Sequence, residues 1–220
     1  MALTTKNERG ESVPLLNLPN MLTIIRLVLV PVFVACYWAD TPQRRWWALA
    51  VFVVAALTDK LDGYYARSRG LITDFGKLAD SIADKALIIA ALLLLSWHDM
   101  LWWWVTILFI VRELGITLMR MALKSRKVMA AGWWGKIKMF AQSIGIAVLL
   151  VPWETLLGNY YEGVSNAWSP AAHAAYIVGY VCIGIALFFA IISAYGYVKE
   201  GINVVRGIPA PAPASEERPS

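Results

Sequence analysis

Residues Trp46–Trp97 read WWALAVFVVAALTDKLDGYYARSRGLITDFGKLADSIADKALIIAALLLLSW. Two apolar runs of 12 residues, Trp46–Leu57 and Ala86–Trp97, flank a stretch rich in aspartate. A helix that crosses a bilayer needs ~20 mostly apolar residues. Neither run is long enough alone, and each reaches spanning length only by extending into the aspartate-bearing stretch. The reading is two membrane helices, Trp46–Tyr65 and Phe75–Trp97, whose adjoining ends carry acids and are linked by a short turn.

Outward from this pair, four more segments have spanning length and character: Met21–Trp38, Leu101–Met121, Lys136–Trp153 and His173–Tyr197. The expected fold is an all-α integral membrane protein with six transmembrane helices. Composition agrees: 59% of the 220 residues are hydrophobic, 11 are Trp, and mean hydropathy is +0.58. Soluble domains hold ~45–50% apolar residues, and the excess has nowhere to go but lipid. This excludes a disulfide scaffold, a disordered protein and a typical cytosolic enzyme. Cys36 and Cys182 lie in apolar runs and read as packing residues. The domain organisation reads as a cytoplasmic or interfacial segment 1–20, one helical domain 21–199 and a Pro/Ala-rich tail 200–220. Residues 1–13 and Gly207–Ser220 are expected to lack regular structure, and Asn17–Asn20 to form a turn or interfacial segment. The first helix is preceded by mixed charge and carries Arg26, unlike a cleaved signal peptide.

Basic residues set the orientation. With both termini cytoplasmic, all of the 20 Lys and Arg residues except Arg44 and Arg45 fall on the inner side. Tryptophans gather near the expected helix ends (Trp46, Trp47, Trp97, Trp102–Trp104, Trp133, Trp134, Trp153) as an interfacial belt. The net charge of +5 thus reflects topology and anionic lipid, with no sign of nucleic-acid binding.

Asp59 and Asp62 are three apart, and Asp80 and Asp84 four apart, spacings that put each pair on one helical face. Gly63 and Ala66 continue the first face; Gly76, Ala79 and Ala83 continue the second. A carboxylate at the centre of a membrane helix costs ~2.5–3.5 kcal/mol. Four such groups side by side repel unless divalent cations join them, and all-oxygen ligation suits Mg²⁺ or Mn²⁺. Carboxylates on two facing helices suit two ions ~4 Å apart, an arrangement that clamps both ends of a phosphoryl displacement. An intramembrane ion path would place its acids near the midplane of interrupted or repeated helices, a pattern absent from this sequence.

The array Asp59-x2-Asp62-Gly63-x2-Ala66-Arg67-x8-Gly76-x3-Asp80-x3-Asp84 resembles, at every defined position, the signature of the CDP-alcohol phosphatidyltransferases. That resemblance implies that Asp59, Asp62 and Asp80 hold two metal ions, with Asp84 completing the site and acting as base for an attacking hydroxyl. It places Gly63, Ala66, Arg67 and Gly76 along the CDP moiety of CDP-diacylglycerol. Thr58 is a further nucleotide contact or, equally, a backbone-bonding threonine. Asp74 reads as an N-cap beside Thr73, while Lys60, Lys77 and Lys85 contact lipid phosphate or snorkel to the interface. The family also implies a homodimer in the bacterial inner membrane with its site open to the cytoplasm.

A second basic cluster, Arg112, Arg120, Lys136 and Lys138, falls at the cytoplasmic ends of the fourth and fifth helices. It suits an acceptor that carries its own phosphate, with Glu113 pairing one of the arginines as the structural alternative. NLPNMLTIIRLVLVPVF, VRELGITLMR and WWGKIKMFAQ are similar to the branch of the family whose acceptor is sn-glycerol 3-phosphate. The first of these is shared with the cardiolipin-forming branch, and an inositol-phosphate acceptor would also want basic residues.

Overall fold

The computed structural model describes the backbone of residues 4–6, 12–14, 18–69, 74–122, 133–157 and 169–205. Side chains are described for 21–58, 82–83, 85–119, 121, 133–157, 169–199 and 201–202. Two short strands, β1 (Thr4–Lys6) and β2 (Ser12–Pro14), pair antiparallel with Thr5 opposite Val13. Residues 1–13 therefore carry strands of a small hairpin where no regular structure is expected from composition. Seven helices follow among the described residues: α1 (Leu18–Tyr37), α2 (Pro42–Arg69), α3 (Asp74–Trp97), α4 (Trp103–Ala122), α5 (Trp133–Leu150), α6 (Trp153–Leu156) and α7 (Pro170–Val205).

All six apolar segments coincide with long helices. α1 takes in Leu18–Asn20, so most of the NLPN stretch is helix rather than turn. Asn20 and Pro19 sit in its first turn, where a proline's missing N–H costs nothing. α7 runs past the expected end at Tyr197 to Val205, because no Gly–Pro break intervenes before Gly207-Ile208-Pro209. Part of the loop expected after Trp153 winds into α6. The expected Asp74 cap is described only in its backbone: Asp74 is the first residue of α3, and Thr73 lies outside the described residues.

The long helices pack as a bundle, α1 against α2 and α3, α5 against α7, and α4 against α3 and α7. Its core joins Phe33 and Tyr37 of α1, Phe52 of α2, Leu92 and Leu95 of α3, Phe109 of α4 and Ile146, Leu149 and Leu150 of α5. Phe33 lies between Tyr37 and Phe52, with ring centroids 6.2 and 6.1 Å away. The outward surface is equally apolar, with Val28, Leu57, Val111, Leu118, Phe188 and Ile191 all more than half exposed. A surface of that kind belongs against lipid. Pro170–Lys199 is long and apolar enough to cross a bilayer; Met21–Tyr37 and Lys85–Trp97 are shorter apolar stretches.

Arg45, at the start of α2, ties one end of this bundle together. Its guanidinium donates to the carbonyls of Leu149 (2.8 Å), Val151 (3.1 Å) and Leu150 (3.3 Å), to Tyr176 Oη (3.0 Å) and to Glu154 Oε1 (2.8 Å). Tyr176 Oη also bonds Glu154 Oε2. One side chain thereby satisfies the open C-terminal carbonyls of α5 and joins α2, α6 and α7.

Candidate active site

Asp59 and Asp62 lie on the uninterrupted α2, and Asp80 and Asp84 on the uninterrupted α3. The helical spacing on which the acidic array depends therefore holds. The side chains of these four residues, and of Gly63, Ala66, Arg67, Gly76 and Arg120, lie outside the described ones. Among the described residues no three His, Cys, Asp or Glu side chains gather as metal ligands. The chemistry of the aspartate set still fits hard divalent ions, because two helices supply carboxylates alone. Thr58, just before the array, turns its hydroxyl back onto its own helix, donating to Val54 O (3.0 Å) and Ala55 O (2.8 Å). Thr58 therefore makes the backbone bonds open to it, and such bonding bends a helix slightly.

Beside the array lies a cavity of about 50 Å³ lined by Lys85 and Ile88 of α3, Glu113 of α4, and Lys138, Met139, Gln142 and Ser143 of α5. A single water needs ~10–15 Å³, so the space has room for roughly three to five water-sized groups and is far too small for a nucleotide. Asp84 stands one residue before Lys85 and one turn before Ile88, which places its α3 position at the border of this cavity.

The basic cluster divides here. Lys138 is 2% exposed, and its ammonium meets Glu113 Oε1 while lying 5.8 Å over the Phe109 ring. Arg112 Nη1 donates to the same Glu113 oxygen (2.8 Å), and Nη2 donates to Ser193 Oγ of α7 (2.6 Å). Two cations thus converge on one part-buried carboxylate, and the pairing is what makes the burial of Lys138 tolerable. Glu113 takes the structural part foreseen for it, but toward Lys138 as well as Arg112. Lys136, by contrast, is exposed and does not line the cavity. It stands two residues from Lys138, which turns it about 200° around α5. Lys85 lines the cavity rather than lying only at the lipid boundary. Gln142 and Ser143 were not foreseen; polar residues inside an otherwise apolar helix were the available signal.

Comparisons with known proteins give the family. Residues 16–192 match the model of the CDP-alcohol phosphatidyltransferase family. A protein of Mycobacterium tuberculosis named "Probable phosphatidylglycerophosphate synthase" is 37% identical over 195 residues, 87% of this chain and 85% of its own length. A Bacillus subtilis protein named CDP-diacylglycerol–glycerol-3-phosphate 3-phosphatidyltransferase is 34% identical over 203 residues, covering 86% of this chain and 97% of the relative. A protein of the same name from Escherichia coli K12 is 37% identical over 155 residues, covering 68% of this chain and 84% of the relative. With the signature spread over two continuous helices and the family model spanning most of its length, this chain belongs to the CDP-alcohol phosphatidyltransferases.

Proposed function

We propose that the protein transfers the phosphatidyl group of CDP-diacylglycerol to a hydroxyl of sn-glycerol 3-phosphate, giving phosphatidylglycerophosphate and CMP. The observation that carries the choice of acceptor is the buried Lys138, which lines a small polar cavity beside the position of Asp84, with Arg112 paired to the same Glu113. An acceptor with its own phosphate supplies the anion this pair favours; free serine or inositol does not. The names of the relatives point to the same acceptor.

Asp59, Asp62, Asp80 and Asp84 would hold the metal, Mg²⁺ or Mn²⁺ and by the array's size two ions, supplying charge neutralisation along the pyrophosphate. The chain's own groups do the rest. Gly63, Ala66 and Gly76 leave room for the CDP moiety, and Arg67 meets its phosphate. Lys138 and Arg112 hold the acceptor's phosphate, with Arg120 one further candidate, so that the acceptor hydroxyl faces Asp84. The hydroxyl gives its proton to Asp84 as its oxygen bonds the phosphorus that carries diacylglycerol. The bond from that phosphorus to CMP breaks, and CMP leaves with the electron pair. Positioning two bound substrates in this way needs no covalent enzyme intermediate. Six spanning helices with both termini in the cytoplasm of a bacterial cell put both polar substrates on the inner leaflet, and a homodimer is the assembly expected of the family.

Detergent-purified protein should release CMP from CDP-diacylglycerol with Mg²⁺ and glycerol 3-phosphate, and EDTA should stop it. Release with phosphatidylglycerol instead would make the protein a cardiolipin-forming enzyme. Release with inositol phosphate alone would move it to that branch.

A further inference from the structure

Phosphate binding accounts for Lys138 and Arg112 but leaves Gln142 unexplained. Gln142 is 1% exposed, and its Nε2 has no hydrogen-bond partner among the described residues. A buried amide without a partner forfeits its hydration and gains nothing in return, so such groups are uncommon and usually have a use. Gln142 also lines the cavity that Lys138 and Glu113 share, and it follows Lys138 by four residues on the same face of α5. That interval is one turn, ~6 Å along the helix axis, comparable with the length of a three-carbon phosphate ester.

We infer that Gln142 is a specificity-determining residue that hydrogen-bonds the non-reacting secondary hydroxyl of the acceptor while its phosphate sits against Lys138. This rests on the proposed glycerol 3-phosphate reaction. A carboxamide offers a donor and an acceptor, the complement of a hydroxyl. The phosphate already has the charged donors that suit it better. A site built to bond a substrate hydroxyl rejects the analogue lacking it, because the amide is then left unpaired.

The test compares sn-glycerol 3-phosphate with 3-hydroxypropyl phosphate, which keeps the phosphate and primary hydroxyl but lacks the secondary one. Full-length protein in detergent is assayed for CMP release with CDP-diacylglycerol and Mg²⁺. The wild type should favour glycerol 3-phosphate in kcat/KM by about tenfold or more. Gln142→Met, close in volume, should lower kcat/KM for glycerol 3-phosphate to the level of the analogue while leaving the analogue and the CDP-diacylglycerol KM unchanged. A Gln142 that only packs predicts unchanged discrimination in the variant, and that result overturns the inference. Wild-type protein that uses both acceptors equally overturns it too, whether or not the variant folds, and leaves the proposed reaction standing. Activity with neither phosphate ester but with another alcohol overturns both.

Discussion

At the residue scale Glu113 gathers two of the basic side chains assigned to the proposed acceptor pocket. Its carboxylate holds Lys138 and Arg112 together, so that under the proposed reaction the acceptor's phosphate would meet two cations already in place. Lys138→Ala removes a charged donor and leaves Glu113 on Arg112. The KM for glycerol 3-phosphate should rise about 10- to 100-fold, the range of a charge-assisted hydrogen bond, with the donor KM unchanged. Steady-state CMP release with each substrate varied checks this, and an unchanged acceptor KM removes Lys138 from the pocket. Asp84→Asn should lower kcat by about 10²-fold or more while CDP-diacylglycerol still binds, since a neutral amide takes no proton. Near-normal turnover would assign the base elsewhere. Arg45 is a structural counterpart, its side chain 5% exposed and bonded to three carbonyls, Tyr176 and Glu154. Arg45→Met leaves Glu154 half-buried without its cation and should cost about 3–5 kcal/mol, read as a lower melting temperature in detergent.

At the element scale, α5 and α7 approach closely through glycine. A Cβ at Gly145 would lie 2.8 Å from Ile183 Cδ1 and 3.1 Å from the Ile183 backbone nitrogen. The backbone cannot yield without separating the helices, so Gly145→Ala should destabilise by about 1–3 kcal/mol. At Gly179 the nearest atoms belong to the Leu149 and Val148 side chains, the closest at 2.8 Å. Gly179→Ala should therefore cost less, because side chains shift more readily than backbone. Thermal melts of the two variants rank them, and a Gly179 variant that falls further would show that Leu149 has no freedom in the core. The end of α3 is shaped differently. Asp99 adopts φ 56°, with Met100 N donating to Leu95 O (2.8 Å) and Asp99 N to Ser96 O (3.2 Å). This paired closure ends the helix without a glycine and turns the chain into α4. His98 Nε2 then lies 2.9 Å from Tyr37 O, joining that turn to the end of α1.

At the scale of the whole molecule, the proposed orientation puts the buried charged site shared by α3, α4 and α5 on the cytoplasmic side of an apolar bundle. Its support is the distribution of Lys and Arg, which favours both termini on that side. With Cys36 and Cys182 replaced, a cysteine at the exposed Gln43 should react with an impermeant thiol reagent from outside the cell. A cysteine at Ser215, in the Pro/Ala-rich tail, should react only in inverted vesicles. The reverse pattern would invert the orientation and put the aspartates on the wrong side for a cytoplasmic nucleotide.

The apolar runs and the eight-residue array were enough to read the helical fold and the family. Both depend on local rules, the length of a spanning helix and the 3.6-residue turn, which act within a single segment. The hairpin strands within residues 4–14, the helical NLPN stretch and the continuation of α7 to Val205 escaped because helix ends respond to weak capping and end signals. The basic cluster shows the sharper limit. Lys136 and Lys138 look alike in sequence, yet the first is exposed and the second buried against Glu113 and Phe109. Sequence periodicity separates their faces but does not say which face meets α4. That choice, and the Gln142 Nε2 left without a partner among the described residues, belongs to the packing of α5 against its neighbours, since burial and partners for a charge come from other elements of the chain.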